Sequence, residues 1–454
     1  MAETSSAVTL PKIPKNRSYE DYLSARLNAG GYYLERGVQM NEGGDILELD
    51  IVINEFQKDT EVKKSIVEVK SGRHWGFPEI FKIKGWMSFL GYSKAAFIVQ
   101  VIENKKMELY RRISDELNIH LILTPISGDT LDDTELKTYY SITPSKHYNC
   151  AVKCLQYTYA LEHKLTDDIV NTCKSNEGIT GYLDLRNYLE IINDSSFFES
   201  KPQSRLICIF DAYRKYRNIT ARIDQEKGGR PYISLTNDEQ IRNETYRSLF
   251  YYCKDTDILQ ASLYVELQEK LYILKTCVED LLRPAGQKSL FDDLGDELLP
   301  LTMKEGMSQL KGKPYFHLYP YFWQIFIFLF GGFIINDKQK KEEEYNLLSS
   351  ITGIPVENID SALEVFDLLF PLPNGGSWLY DIPKSTVTML MFMPVPFCGI
   401  GVNFRRFVYT DDQELASLKK VLRGEKTFND FIKWNNLAAA YLYKSKDVDK
   451  LKQE

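Results

Sequence analysis

Three residues in two short segments carry the types and spacing that could do chemistry. Asp50 lies in Gly44 to Ile53 (Gly-Asp-Ile-Leu-Glu-Leu-Asp-Ile-Val-Ile), and Glu68 and Lys70 lie in Ser65 to Gly72 (Ser-Ile-Val-Glu-Val-Lys-Ser-Gly). Both segments read as β-strands. Successive side chains of a strand point to opposite faces, so Glu48 and Asp50 are expected on one face, with Leu47, Leu49, Ile51 and Ile53 on the other. Glu68 and Lys70 repeat the pattern against Val67 and Val69. An ordinary half-buried strand turns its charges to water. Here a polar connection from Asn54 to Lys64 joins the two strands, and the run that follows can cover one face. Asp50, Glu68 and Lys70 are therefore expected to meet. Two carboxylates offer hard oxygen ligands to Mg2+, or to Mn2+ in its place, and Mg2+ keeps several waters and takes a substrate phosphate as a further ligand. An ammonium beside them can orient or activate the attacking water and offset charge developing on a phosphoryl oxygen.

A Glu-x-Lys triplet by itself is weak, because alternating charges occur on any solvated strand. Its surroundings add to it. A carboxylate strand, a hairpin-like connection, a Glu-x-Lys strand ending at Ser71-Gly72, a helical run and another apolar strand follow one another. In that order, and in Asp50 and Glu68-Val69-Lys70, the first quarter of the chain resembles the PD-(D/E)xK nuclease superfamily, the restriction-endonuclease-like fold. It departs from the family pattern in having no Pro before Asp50.

The resemblance implies a Mg2+-dependent endonuclease that hydrolyses phosphodiester bonds, with DNA expected over RNA and with 5′-phosphate and 3′-hydroxyl products. Asp50 and Glu68 match the metal ligands and Lys70 the catalytic lysine. Glu20 matches by position a carboxylate that many relatives carry on the first helix, although a Glu in a first turn is also favoured by the helix dipole. Glu48 is a further candidate. The helix after the Glu-x-Lys strand suggests Lys82 and Lys84 for phosphate contact. Arg73, His74 and Trp75 form the turn before it, where the aromatic pair could stack on a base or close the turn over the core. The appended architecture is similar to prokaryotic restriction and antiphage defence nucleases. The competing reading is a scaffold that keeps the nuclease-like fold without its chemistry and binds nucleic acid or a partner.

The elements that must position these residues follow from periodicity. Arg17 to Ala29 has Tyr19, Tyr22, Leu23 and Leu27 at helical spacing, with Ser18 as a possible N-cap. Tyr32 to Met40 reads as a first strand, Phe77 to Gly91 as a helix, Ala95 to Ile102 as a buried strand, Lys105 to Ser114 as a short helix and Ile119 to Leu123 as a last strand. The expected fold is an α/β restriction-endonuclease-like core of order αβββαβ, followed by a mainly α-helical C-terminal region with a few strands. The expected divisions are a disordered lead (1–15), the nuclease-like domain (16–124), a linker (125–147), a helical domain (148–283), a second linker (284–298) and a mixed, mainly helical domain (299–454).

At 454 residues the chain can hold two to four domains. Its net charge of -7 excludes a global basic field. A local one exists: Glu61 to Arg112 holds eleven Lys plus Arg against five Glu and no Asp. Positive charge clustered beside a carboxylate site is what backbone phosphates need. Seven scattered Cys and no secretory signal suggest a reduced, cytoplasmic setting. His147, Cys150 and Cys154 could share a helical face, but zinc would need a fourth ligand that no nearby pair supplies. The aromatic run Tyr319 to Gly332 is shorter than the roughly twenty residues of a membrane span and contains Gln324, so it reads as a buried helix, or second as a partner-binding one. No membrane partner is expected. Ile359, Ala362, Leu363, Phe366 and Leu369 mark an amphipathic helix, and Thr386 to Met393 and Phe397 to Tyr409 read as strands. No Walker loop, G-x-G-x-x-G or nucleophile elbow is present, so an ATP-driven step would need a separate ATPase or sensor partner. Assembly as a homo-oligomer is open.

Overall fold

The computed structural model describes residues 10–40, 47–100 and 106–144, and parts of 148–163, 271–292 and 301–380. The N-terminal elements are α1 (Arg17–Ala29), β1 (Tyr33–Met40), β2 (Leu47–Glu55), β3 (Lys63–Lys70), α2 (Phe77–Leu90), β4 (Ala95–Val99), α3 (Met107–Glu116) and β5 (Ile119–Leu123). The strands form one mixed sheet in the order β1-β2-β3-β4-β5. The first three are antiparallel neighbours, and β3, β4 and β5 run parallel. Parallel neighbours need crossovers, and α2 and α3 supply them. The described elements beyond 148 are mostly helical.

Alternation along β3 sorts its side chains between two cores. Val67 and Val69 face a large cluster that includes Tyr19, Leu23 and Leu27 of α1. Ile66 faces a second cluster built on Ile80, Ile83, Trp86 and Met87 of α2. Glu68 shares that second face by alternation, and α2 covers it. In β4 all five residues are buried, as expected of a strand covered on both sides.

One expected alternation fails. Ile51 and Ile53 join the α1-side cluster, but Leu49 joins the α2-side cluster with Val38. The β1–β2 register passes from Arg36 opposite Ile51 to Val38 opposite Leu49, with Gly37 between them at φ 55°. A left-handed residue within a strand is the device that re-aims its neighbours, and glycine adopts it without steric cost. The change of facing occurs at Asp50.

The helix Tyr319–Phe330 is buried on every side. Among the described residues no helix is long and apolar enough to cross a membrane. Its Gln324 does what an adjoining strand would do for edge strand β1. Gln324 Nε2 donates to the Leu34 carbonyl (2.8 Å), and the Leu34 N–H donates to Gln324 Oε1 (3.1 Å). Asn28 Nδ2 donates to the same oxygen at 2.6 Å. Leaving a buried polar group without a partner costs about 1–3 kcal/mol, so Gln324→Leu, which orphans two backbone groups, should destabilise by about 2–4 kcal/mol. Hydrogen exchange at the Leu34 amide should speed up in the variant, and unchanged protection would show that the side chain is not what closes this edge.

Two expectations need correction. Residues 10–15 do not belong to a disordered lead: Leu10 and Ile13 pack against the core, and the Pro14 carbonyl accepts from Gln100 Nε2 at 2.9 Å. The stretch expected as a linker from 125 carries a hairpin, Ile126–Ser127 with Thr130–Leu131, and the helix Thr134–Tyr139. Leu131, Leu136, Tyr140 and Ile142 anchor it to the α1-side core. These apolar residues are too irregularly spaced to announce an element. His147, Cys150 and Cys154 lie outside the described residues, as do 386–393 and 397–409.

Candidate active site

The site forms where β2 and β3 stop pairing. Their register runs to Ile51 opposite Val67, one position short of Asp50 opposite Glu68. Instead of continuing the ladder, the Asp50 side chain takes over: Oδ2 accepts the Val69 N–H at 2.7 Å. Asp50 is thereby held against the Glu68-Val69-Lys70 segment, where Asp50, Glu68 and Lys70 influence one another electrostatically. Glu68 is 1% exposed, between Phe97 of the parallel neighbour and the overlying α2.

A carboxylate buried to this degree must be compensated. Lys70 Nζ donates to Glu68 Oε1 at 2.8 Å, and Lys82 Nζ reaches the same oxygen from α2 at 3.5 Å. The Lys82 ammonium also sits over the Trp86 ring, 4.2 Å from its centroid. Two cations therefore converge on Oε1, while Oε2 is buried with no hydrogen-bond partner among the described residues.

The electrostatics match this geometry. Burial pushes the Asp50 carboxyl up from 3.8 to about 8; the charges of Glu68 and Glu20 add to the rise, and Lys70 and the Val69 amide oppose it. Burial pulls the Lys70 ammonium down, but the charge and hydrogen bond of Glu68, with Asp50 and Glu20, outweigh it and hold its pKa above the ordinary lysine value. Glu20 is also raised, by burial first and then by Glu48 and Asp21, against His163 and Lys70. These reciprocal influences place Glu20 within electrostatic reach of Asp50 and Lys70.

The start of α1 is tied to the end of β3: the Asn16 N–H donates to Ser71 Oγ at 2.8 Å. Ser18 clasps the preceding turn, with Oγ accepting the Lys15 N–H (2.9 Å) and donating to the Lys15 carbonyl (2.8 Å). On the same helix Asp21 binds Arg36 (3.1 Å) and His163 Nε2 (2.8 Å). These contacts fix the helix turn that bears Glu20.

The other candidates fall in different places. Glu48 is exposed on β2, where its charge reaches Glu20. Lys84 points to the opposite flank of α2, donating to the Leu117 carbonyl at 3.2 Å, away from Lys82. Arg73 and His74 are exposed in the turn after β3. Trp75 is half-buried, edge-on to Phe97 (5.5 Å) and tilted against Tyr110 (5.1 Å), so it closes the turn over the core. The exposed aromatic residues of α2 are Phe81 and Phe89, which helical periodicity alone does not separate from core residues.

A divalent cation fits the chemistry of the pair. Glu68 Oε2 is a buried hard oxygen lacking a partner among the described residues, and Asp50 is held against the same segment in surroundings that penalise its negative charge. Among the described residues no group of three or more His, Cys, Asp or Glu side chains is arranged to hold a metal ion. An ion here would draw its remaining ligands from water and substrate, as Mg2+ does. The chain matches no protein-family model, and no curated protein and no solved structure matches it significantly.

Proposed function

We propose that the N-terminal domain is a Mg2+-dependent nuclease of PD-(D/E)xK type, hydrolysing phosphodiester bonds of nucleic acid, DNA by expectation. The observation that supports this reading most is the partnerless, buried Oε2 of Glu68 beside the raised Asp50 and the charged Lys70. Asp50 and Glu68 would hold the cation (Mg2+, with Mn2+ as a substitute), which when bound supplies positive charge against a phosphoryl oxygen. Lys70 orients the attacking water and donates toward the charge that develops on phosphorus-bound oxygen. Glu68 keeps the Lys70 ammonium in place through the 2.8 Å hydrogen bond. Lys82, on the same oxygen from the covering helix, adds a second cation for the scissile phosphate. An effector role in prokaryotic antiphage defence is the biological setting the resemblance favours.

The test is direct. Purified full-length protein should degrade plasmid or RNA only with Mg2+ or Mn2+, and Asp50→Asn and Glu68→Gln should each abolish both degradation and Mn2+ binding by calorimetry. A parent protein that neither binds Mn2+ nor cleaves would favour the scaffold reading.

A further inference from the structure

The outward face of α2 is unusual for a covering helix. Phe81 is 57% exposed and Phe89 67%, and Gly85 lies midway between them at four-residue spacing on the same face. Among the described residues a Cβ added at Gly85 would meet nothing within 4 Å, so no packing demand of the described fold keeps a glycine there. Glycine inside a helix is unfavourable relative to alanine. What it leaves is a low floor between two exposed rings. Lys82 borders this strip and directs its ammonium to Glu68. Arg73 and His74 stand exposed in the turn that leads from β3 into the helix. In sequence the stretch from Glu61 to Arg112 is basic within an acidic chain, with Lys64, Lys94, Arg111 and Arg112 ion-paired to Glu279, Glu55, Glu135 and Glu116.

Exposed rings interleaved with cations are the chemistry of single-strand binding: bases stack on the rings and phosphates follow the positive charge. A purely apolar partner helix would not use the charge, and a duplex conceals the faces of its bases. We propose that the outer face of α2 holds an unpaired nucleic-acid strand, with a base stacked on Phe81 and the backbone running past Lys82 toward Asp50 and Glu68. This rests on the nuclease reading and specifies its substrate as single-stranded or locally unpaired DNA or RNA.

Fluorescence anisotropy on the full-length Asp50→Asn protein, which cannot cleave under that reading, tests it. The probes are labelled oligothymidylate and oligouridylate of about 12 nucleotides, within the usual single-strand site size, and a duplex of equal length. Both single strands should bind more tightly than the duplex, unless the sugar is also read, in which case one of the two should dominate. Adding Phe81→Ala should weaken single-strand binding by about 5- to 100-fold, the loss expected for one stacked base, while duplex binding barely changes and Phe81→Trp restores affinity. Equal single-strand affinity with and without Phe81 would overturn the proposal. So would light scattering in which the parent is a dimer that Phe81→Ala separates, since the ring would then belong to an interface between copies. Mn2+ titration of the single variant Phe81→Ala separates the two claims. Normal Mn2+ binding with a neutral Phe81 defeats this inference alone, whereas a strong Phe81 effect in a protein that never binds Mn2+ defeats the nuclease reading alone.

Discussion

Lys70→Ala is expected to lower divalent-dependent cleavage by about 100- to 1000-fold, the usual loss when one preorganised donor is removed from a developing oxyanion. The expectation follows from position. Lys70 Nζ is fixed at 2.8 Å from Glu68 Oε1, in surroundings that keep the ammonium charged. Since the lysine also compensates a buried carboxylate, a fall in activity through loss of fold must be set apart. Lys82 remains on the same oxygen at 3.5 Å, so the variant should keep its cooperative thermal transition and still bind Mn2+. Lys70→Arg retains the charge but changes the shape of the donor, and it should recover only part of the rate. Full activity in Lys70→Ala would remove the lysine from the mechanism.

The second large effect concerns Asp50 and pH. With its carboxyl raised from 3.8 to about 8 by burial and by Glu68 and Glu20, the native cation-free protein holds a proton that the unfolded chain has released. The native state then binds more protons than the unfolded state across that interval, so stability from this group is greatest at low pH and falls as pH rises from about 4 to about 8. A cation must displace the same proton. Mn2+ affinity should therefore climb with pH, by up to about tenfold per unit, and level off above the Asp50 pKa. Calorimetry in buffers of different ionisation enthalpy should show close to one proton released per ion at neutral pH. Asp50→Asn keeps an oxygen for the Val69 amide and carries no charge, so without metal it should melt higher than the parent at pH 8 and match it near pH 4. A melting difference independent of pH would show that Asp50 is not the titrating group.

Much of this site is legible before any coordinates. Asp50, Glu68 and Lys70 sit in strands whose alternation is set by local sequence, and the short connection between β2 and β3 forces them to be neighbours. The order of elements through Leu123 follows from the same periodicities. What stays hidden depends on contacts distant in sequence. The reversal of facing at Leu49 requires the φ of Gly37, which no pattern in β2 reports. The role of Gln324 is invisible because its partner, Leu34, lies 290 residues away. A helical wheel sets Lys82 and Lys84 on opposite sides of α2, but which of them meets the Glu68 carboxylate and which the Leu117 carbonyl depends on how the helix docks. Trp75 closes the turn over the core because Phe97 and Tyr110, distant from it in sequence, complete a pocket for the indole.

The most direct measurement is the anomalous scattering of Mn2+ in crystals of the full-length protein soaked at pH 8. The expected result is a single strong peak within ligand distance of the Asp50 and Glu68 carboxylates, with Lys70 still on Glu68 Oε1. A soaked crystal in which those two carboxylates carry no peak, or in which the ion sits elsewhere and Glu68 Oε2 is satisfied by a protein donor, would contradict it.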